Sequence, residues 1–345
     1  MSTTSVGRSD GPSAITKEPR RVSVVIPTWN AGTLFERVLA SLAEQDIPGG
    51  FQLVVVDSSS TDGTPERARA AGALVESLPQ SEFNHGATRN RGIACAAGEI
   101  VCLLTQDAVP MDESYLRMLL QTYEENPRVD GVYARQFPRA DCDPLLAERL
   151  RQWSASRDQR ELKVFAPGDP TASRELFDSL PPLERYLSCV FDNVASSVRR
   201  SSWERVPFPH RSFGEDVAWA RAMLLAGGQV AFEPLARVEH SHRISMQREF
   251  RRIYADHRNL YELFELRNVP NWKAVWAGWA WQRGFYRDLL AGLELSRSER
   301  LYWRAYSVPY ALLETAAQFL GARSHWKTAE SRFWRAVDRR LRRDI

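Results

Sequence analysis

The sequence predicts an α/β protein, a mostly parallel sheet flanked by helices, with a C-terminal helical extension. Three observations carry this. Short β-branched runs alternate with stretches of helical periodicity from Val22 to Glu125. Polar residues follow the strands directly, at Thr28 to Asn30, Asp57 and Thr105 to Asp107, as they would along the carboxyl edge of a parallel sheet, where ligands gather. From Ser245 onward the pattern is helical almost to the end. The 345 residues are 43% hydrophobic and 26% charged, an ordinary globular composition that excludes disordered, collagen-like and coiled-coil chains.

Residues 1–20, rich in Ser, Gly, Pro and charge and lacking the apolar core of a signal peptide, read as a disordered tail. A strand opens the fold at Val22–Ile26, closed by Pro27, and a helix follows from Thr33 to Gln45 with Leu34, Val38, Leu39 and Leu42 on one face. The strand Leu53–Val56 runs into Asp57-Ser-Ser-Ser-Thr-Asp-Gly, a loop of capping and turn residues, before Thr64-Pro65-Glu66 starts a helix with Pro in its first turn. Leu74-Val75 and the helical segment Ala87–Ala97 come next, then the strand Glu99–Leu104 and a helix from Asp112 to Glu125. Residues 138–182, rich in Pro and charge, read as an insertion or mobile loop region with a short helical stretch at Leu145–Trp153. A second ordered block spans Leu187–Ala236, and the C-terminal helices are expected to break near Pro270 and around Gly321. The expected organisation is an α/β domain over 21–260 and a helical extension over 261–345.

Net charge is +3, but residues 1–239 carry 26 basic and 32 acidic residues while 240–345 carry 20 and 11, with seven of the eleven Trp. Trp272, Val275, Trp276 and Trp279 share one helical face, and Phe333, Trp334 and Val337 alternate with Arg332, Arg335, Arg339, Arg340, Arg342 and Arg343. Such helices suit either an anionic membrane surface or packing on the α/β domain or a second subunit. No nucleic-acid partner is expected, because the α/β part is acidic. Cys95, Cys102, Cys142 and Cys189 show no CxxC pair and read as buried free thiols of a reducing cytosol. No apolar run reaches the roughly 18 residues of a membrane span.

The chain has no GxxxxGK[ST] and no GxGxxG after a strand, so a nucleotide would have to be held by carboxylates, an arginine or a metal. Asp57, ending a buried strand, is placed to accept from a ligand N–H, or to close an Asx-turn. Asp107, directly after Ile-Val-Cys-Leu-Leu, is where one carboxylate would hold a hard cation together with phosphate oxygens. Glu215-Asp216 puts two acids at a helix start, a pattern that acids also adopt for the helix dipole alone. His240 and His242 alternate in an extended segment, as metal or phosphate ligands or as structural imidazoles. Arg89-Asn90-Arg91 opens a helix whose N-terminus could face a diphosphate.

Order and spacing make this set specific. Val-Ser-Val-Val-Ile-Pro-Thr28-Trp-Asn30, Asp57-Ser-Ser-Ser-Thr-Asp-Gly-Thr, Ala-Thr-Arg89-Asn-Arg-Gly, Gln106-Asp107-Ala, Gly-Glu215-Asp216 and His240 resemble the family 2 glycosyltransferases of the GT-A fold, a Rossmann-like sheet, over roughly residues 21–260. Phe83-Asn-His85-Gly-Ala-Thr-Arg-Asn with Leu-Thr-Gln-Asp-Ala is most similar to bacterial rhamnosyltransferases with a dTDP-linked rhamnose donor. The resemblance implies inverting transfer of L-rhamnose from dTDP-rhamnose to a hydroxyl of a glycan or lipid-linked glycan in cell-surface polysaccharide synthesis. It implies Mg²⁺ or Mn²⁺ on Asp107 and His240, with Arg89 as a fixed cation beside the diphosphate. Asp57 with Thr28 would grip the nucleoside, and Asn30, Gln106 and His85 would complete the donor site. Asp216 is the implied general base, with Glu215 in reserve and His242 on the acceptor side or behind the metal. The family's metal motif is commonly Asp-x-Asp; here Thr105 stands first, leaving Asp107 alone. A cytoplasmic protein is implied, free or peripheral at the inner face of the membrane. The alternatives are a UDP-sugar-dependent transferase of the same family, or a catalytically silent scaffold binding sugar nucleotide or polysaccharide.

Overall fold

The structure is a computed structural model that describes residues 21–211, 213–242 and 245–342; the expected tail 1–20 and Arg343 lie outside the described residues. Its strands are β1 (Val22–Thr28), β2 (Phe51–Asp57), β3 (Leu74–Ser77), β4 (Ile100–Leu104), β5 (Val109–Pro110), β6 (Gly131–Phe137), β7 (Glu161–Lys163), β8 (Ala195–Arg199) and β9 (Val230–Glu239). They form one nine-stranded sheet in the order β3-β2-β1-β4-β8-β6-β9-β5, with β7 also on β9. Strands β1 to β4, β6 and β9 share a direction, and β5, β7 and β8 oppose it. The predicted mostly parallel sheet is therefore present. Alternate residues of its central strands feed two separate cores. Val25, Val54, Val56, Val101 and Leu103 enter one, and Val24, Ile26, Val55, Cys102 and Leu104 the other. Burial on both faces is why these strands read as unbroken apolar runs.

Helices α1 (Leu34–Ala43), α2 (Thr64–Ala70), α3 (His85–Cys95) and α4 (Tyr115–Glu125) make the crossovers. One boundary differs from expectation: β1 continues through Pro27 to Thr28, in register with Val56 and Asp57 of β2. Its pairing with β4 ends at Val25, so Pro27 lies where the strand is paired on one side only, a position that tolerates a missing N–H.

Residues 138–182 are not a mobile loop. They contain α5 (Pro144–Arg151), β7 and α6 (Pro170–Ser179), followed by α7 (Pro182–Ser188). Three of the prolines that suggested a loop, Pro144, Pro170 and Pro182, occupy first-turn helix positions, where the absent N–H costs nothing. Asp143 and Asp169 cap α5 and α6 by accepting backbone N–H bonds, and Leu145 and Phe177 are buried. Helices α8 (Arg200–Arg205) and α9 (Glu215–Leu225) follow, the latter burying Trp219, Ala220, Met223 and Leu224 in the larger core.

The C-terminal part comprises α10 (Met246–Phe264), α11 (Trp272–Gly292), α12 (Arg297–Glu330) and α13 (Arg332–Arg342). The boundary expected at residue 260 falls inside α10, whose Leu260 and Phe264 belong to the larger core. The break near Pro270 is present, but α12 runs unbroken through Gly321, contrary to expectation. The reason is steric: a Cβ at Gly321 would lie 2.4 Å from the Tyr254 carbonyl oxygen, so the glycine lets α12 lie directly on α10. Leu145 of α5 shares a small core with Tyr286, Leu290, Tyr310 and Ala311, which docks the helices on the α/β part. Beneath them Arg149 bonds Glu314 at 3.2 Å and pairs with Glu249. On the outer side Trp272, Trp276 and Trp281 stay 56, 55 and 67% exposed. Cys102 and Cys189 are buried free thiols, whereas Cys95 and Cys142 are only partly buried. Among the described residues no helix is long and apolar enough to cross a membrane.

Gly321→Ala is expected to destabilise the protein by about 1–3 kcal/mol through overpacking of α12 on α10, read as a lower urea midpoint at unchanged slope.

Candidate active site

The sheet's topology brings the predicted residues to one edge. Thr28 and Asp57 end β1 and β2, Asp107 follows β4, and His240 follows β9. Because β8 is antiparallel, the residues that precede it, Asp192 and Asn193, arrive at the same edge. A cavity of about 410 Å³ opens there, walled by His240, His242, Asp216 and Trp153 and, from the far side, by α10 and α12.

At its metal-like end, ligand atoms of Asp107, His240 and His242 all lie within 4.8 Å of one another. His240 Nε2 is 3.6 Å and His242 Nδ1 3.1 Å from the Asp107 carboxylate. His240 is held in one tautomer by a relay. The Gln136 side-chain amide donates to Asp192 Oδ2, which turns Gln136 Oε1 toward His240 Nδ1 at 3.1 Å. His240 therefore donates through Nδ1, and its Nε2 lone pair faces Asp107. That Nε2 is buried without a hydrogen-bond partner. Burial pushes the imidazole down to about 3, so it is neutral. Burial by itself would raise Asp107, but the hydrogen bond from His242 and the neighbouring imidazoles and Arg139 outweigh it and hold the carboxyl well below the usual carboxylate range. One ionised carboxylate and an orphaned neutral imidazole nitrogen match what a divalent cation requires. His242, expected at the acceptor side or behind the metal, stands in the ligand set itself.

Asp216 and Glu215 differ sharply in environment. Gly214 opens α9 with φ 68°, and a Cβ there would meet Asn259 at 2.0 Å, so the turn that aims the two acids requires glycine. Glu215 is buried in an ion pair with Arg89 at 2.9 Å and accepts from Asn193 Nδ2 at 3.2 Å. Burial would raise its pKa, yet Arg89, His85 and Asn193 hold it below the usual range. Asp216 is partly exposed to the cavity and accepts from the Val217 and Asn193 backbone N–H groups at 2.8 and 3.3 Å. Burial first, then the charges of Glu215 and Asp192, raise it well above the usual carboxylate value.

This corrects the expectation for Arg89. Its terminal nitrogens are engaged by Glu215, the His85 carbonyl and the Asn193 carbonyl, so it is a buried strut rather than a free fork for diphosphate. His85 is partly buried against Phe83, and burial lowers its pKa.

On the other side of the edge, Asp57 accepts from Thr28 Oγ1 at 2.9 Å and from Ser60 N and Oγ at 2.9 and 2.6 Å. The Asx-turn is thus real, and Oδ2, with a single partner, retains room for one further donor. Asn30, at φ 43°, accepts from Thr61 N at 2.8 Å. Gln106 accepts from Trp29 N at 2.8 Å and donates to Trp29 O at 3.3 Å, clamping the loops after β1 and β4. The Trp29 indole is left 49% exposed beside them.

Gln136, Asp192 and Asn193 escaped sequence reasoning. Asp192-Asn193 interrupts the apolar run Cys-Val-Phe-Asp-Asn-Val-Ala, but residues before a strand reach the ligand edge only if that strand is antiparallel. The mostly parallel sheet expected from the sequence did not mark β8 as an antiparallel strand, which hid Asp192 and Asn193.

The architecture is that of the GT-A glycosyltransferases. It aligns with the crystal structure of glucosyl-3-phosphoglycerate synthase from Mycobacterium tuberculosis in complex with Mn²⁺, UDP and glucosyl-3-phosphoglycerate, at a TM-score of 0.50 and 20% identity over 75% of this chain and 87% of that one. Residues 23–174 match the model for glycosyl transferase family 2. It is 29% identical over 316 residues to an O-antigen chain rhamnosyltransferase of Salmonella typhimurium, covering 89% of this chain and 91% of the relative. A second such enzyme, from Salmonella anatum, is 29% identical over 313 residues, covering 89% of this chain and 90% of the relative.

Gln136→Met, which keeps the volume but removes the acceptor for His240 Nδ1, is expected to weaken Mn²⁺ binding by about 10–100-fold; titration calorimetry on the folded variant checks this against the parent.

Proposed function

We propose that the protein is an inverting glycosyltransferase that moves L-rhamnose from dTDP-rhamnose to a hydroxyl of a glycan or lipid-linked glycan in cell-surface polysaccharide synthesis. The observation that carries this is the sharing of one cavity: the His240 and His242 imidazoles and the Asp216 carboxyl stand on its walls, at the carboxyl edge of the sheet. The rhamnosyl part rests on the similarity to the two Salmonella enzymes.

Asp107, His240 and His242 would hold Mg²⁺ or Mn²⁺, which would supply Lewis-acid charge for the departing diphosphate. Asp57, fixed by Thr28 and Ser60, offers its remaining lone pair to a base N–H, with Asn30 and the Gln106 clamp shaping the loops around it. The acceptor oxygen forms its bond to the anomeric carbon as the bond to dTDP breaks, and the hydroxyl proton passes to Asp216. A carboxylate of raised pKa is the stronger base. Glu215, neutralised by Arg89, is not free for that role and instead fixes the start of α9.

Asp216→Asn is expected to bind donor normally and to lose about 10²–10⁴-fold in kcat. Asp216 must be ionised to act, so the parent rate should fall as the pH drops through its raised pKa, above the ordinary value of about 4; that limb should vanish in the residual activity of the variant.

Incubation with dTDP-rhamnose and Mn²⁺, beside UDP-sugars, tests the donor. Consumption of dTDP-rhamnose is expected; preference for a UDP-sugar sinks the rhamnosyl reading, and consumption of none leaves the binding scaffold.

A further inference from the structure

Helices α10 and α12 each carry two unlike faces. One lines the cavity, through Glu249, Arg252 and Asp256 of α10 and Glu314 and Gln318 of α12. The other lines a separate outer groove of about 440 Å³, completed by α13. The walls of this groove are apolar, built from Phe250 of α10, Leu313 and Ala316 of α12 and Leu341 of α13, and Arg251 and Arg340 stand in the same lining. Arg251 ties α13 down by donating to the Arg340 carbonyl at 2.8 Å.

The apolar surface continues toward α11. Leu312, also in the groove, packs against the small core of Val269, Val275 and Phe319, and the Trp272 ring lies on Phe319 at 4.5 Å between centroids. One turn further on, Trp276 meets Trp279 at 5.7 Å, and Trp279 is anchored by donating its indole N–H to the Val308 carbonyl of α12 at 3.0 Å. Trp272 and Trp276 themselves are left exposed. A contiguous apolar surface of this kind, held out in water, marks an interaction site.

Its charge says for what kind of partner. Residues 332–345 hold six arginines against two aspartates. Asp338, the one acid within α13, is turned inward and buried, accepting from the Tyr254 hydroxyl at 2.9 Å, Arg258 Nε at 3.1 Å and Arg342 Nε at 3.0 Å. Arg332, Arg335, Arg339 and Arg340 are exposed, and their spacing puts them on one side of the helix, with Phe333 exposed beside them. A second copy of the chain is a poor occupant, because a two-fold interface sets a face against itself and would bring one arginine row toward another. Phosphate head groups answer the arginines, and the head-group boundary is where indoles settle.

We infer that this outer face of α10 to α13 docks on a membrane containing anionic phospholipid, with Arg251 and the arginines of α13 on lipid phosphates, Trp272 and Trp276 at the head-group boundary and the groove on the acyl chains. This goes beyond the transferase reading and does not depend on which sugar is moved.

Flotation of the full chain with lipid vesicles tests it. Vesicles of phosphatidylcholine mixed with phosphatidylglycerol should carry the protein at low salt, and vesicles of phosphatidylcholine alone should not. Arg339→Glu combined with Arg340→Glu should lower the partition coefficient by about tenfold or more, and Trp276→Ser by about threefold or more. Arg69→Glu, which reverses an exposed charge on α2, should leave it within about twofold. Thermal melts verify that each variant is folded. No flotation with the phosphatidylglycerol vesicles, unaltered flotation of the double variant or of Trp276→Ser, or an equal loss in Arg69→Glu would overturn the inference. So would a dimer in sedimentation velocity that Trp276→Ser dissociates, which gives the face to a second copy.

Discussion

The buried ion pair between Arg89 and Glu215 is the contact on which the rest of the site depends. It joins the first turns of α3 and α9, and through Asn193 it includes the segment that enters β8. Two such groups under 6% exposed survive only because each answers the other; removing one leaves a buried charge, at a typical cost of 3–5 kcal/mol. The pair also sets the chemistry next to it. Burial first, then the charge of the neighbouring Glu215, hold the Asp216 carboxyl above the usual carboxylate value, so the residue that closes the fold also raises the basicity of the adjacent carboxyl.

Much of this was legible in the sequence. The strands, their order of appearance and the polar residues that follow them are local, periodic signals, and a parallel sheet converts those signals into a shared edge without further information. Asp57 and Asp107 were expected at that edge for this reason, whereas Glu215-Asp216 stood out as a helix start and His240 with His242 as an alternating pair. What was not legible came from pairings with no local trace. Gln136 and Asp192 are 56 residues apart, and nothing in either neighbourhood names the other. Arg89 was misread because its partner lies over a hundred residues away and converts an apparent ligand-binding fork into a strut. Gly321 was misread as a break because its local signal, lost helix propensity, is the same whether the glycine ends a helix or lets another pass close by.

The two ends of the cavity are built by different rules. The donor end is made of loops that follow buried strands, each held by short-range caps and clamps such as those of Asp57 and Gln106. The far end is made of side chains projecting from long helices, whose spacing is fixed by α10 lying against α12. Loops anchored on strands hold a reacting centre still, whereas a helix face can change one side chain at a time with the backbone unmoved.

The bond from Arg149 to Glu314 spans 165 residues, and this has a consequence in time. During synthesis the donor edge emerges complete well before α12 does, and contacts of such long sequence separation close late in folding. The growing chain thus passes through a stage with its sheet edge assembled and the α12 wall of the cavity missing. Arrival of α12 is the event that turns a partly built cleft into an enclosed one, so full competence is a property of the nearly finished polypeptide.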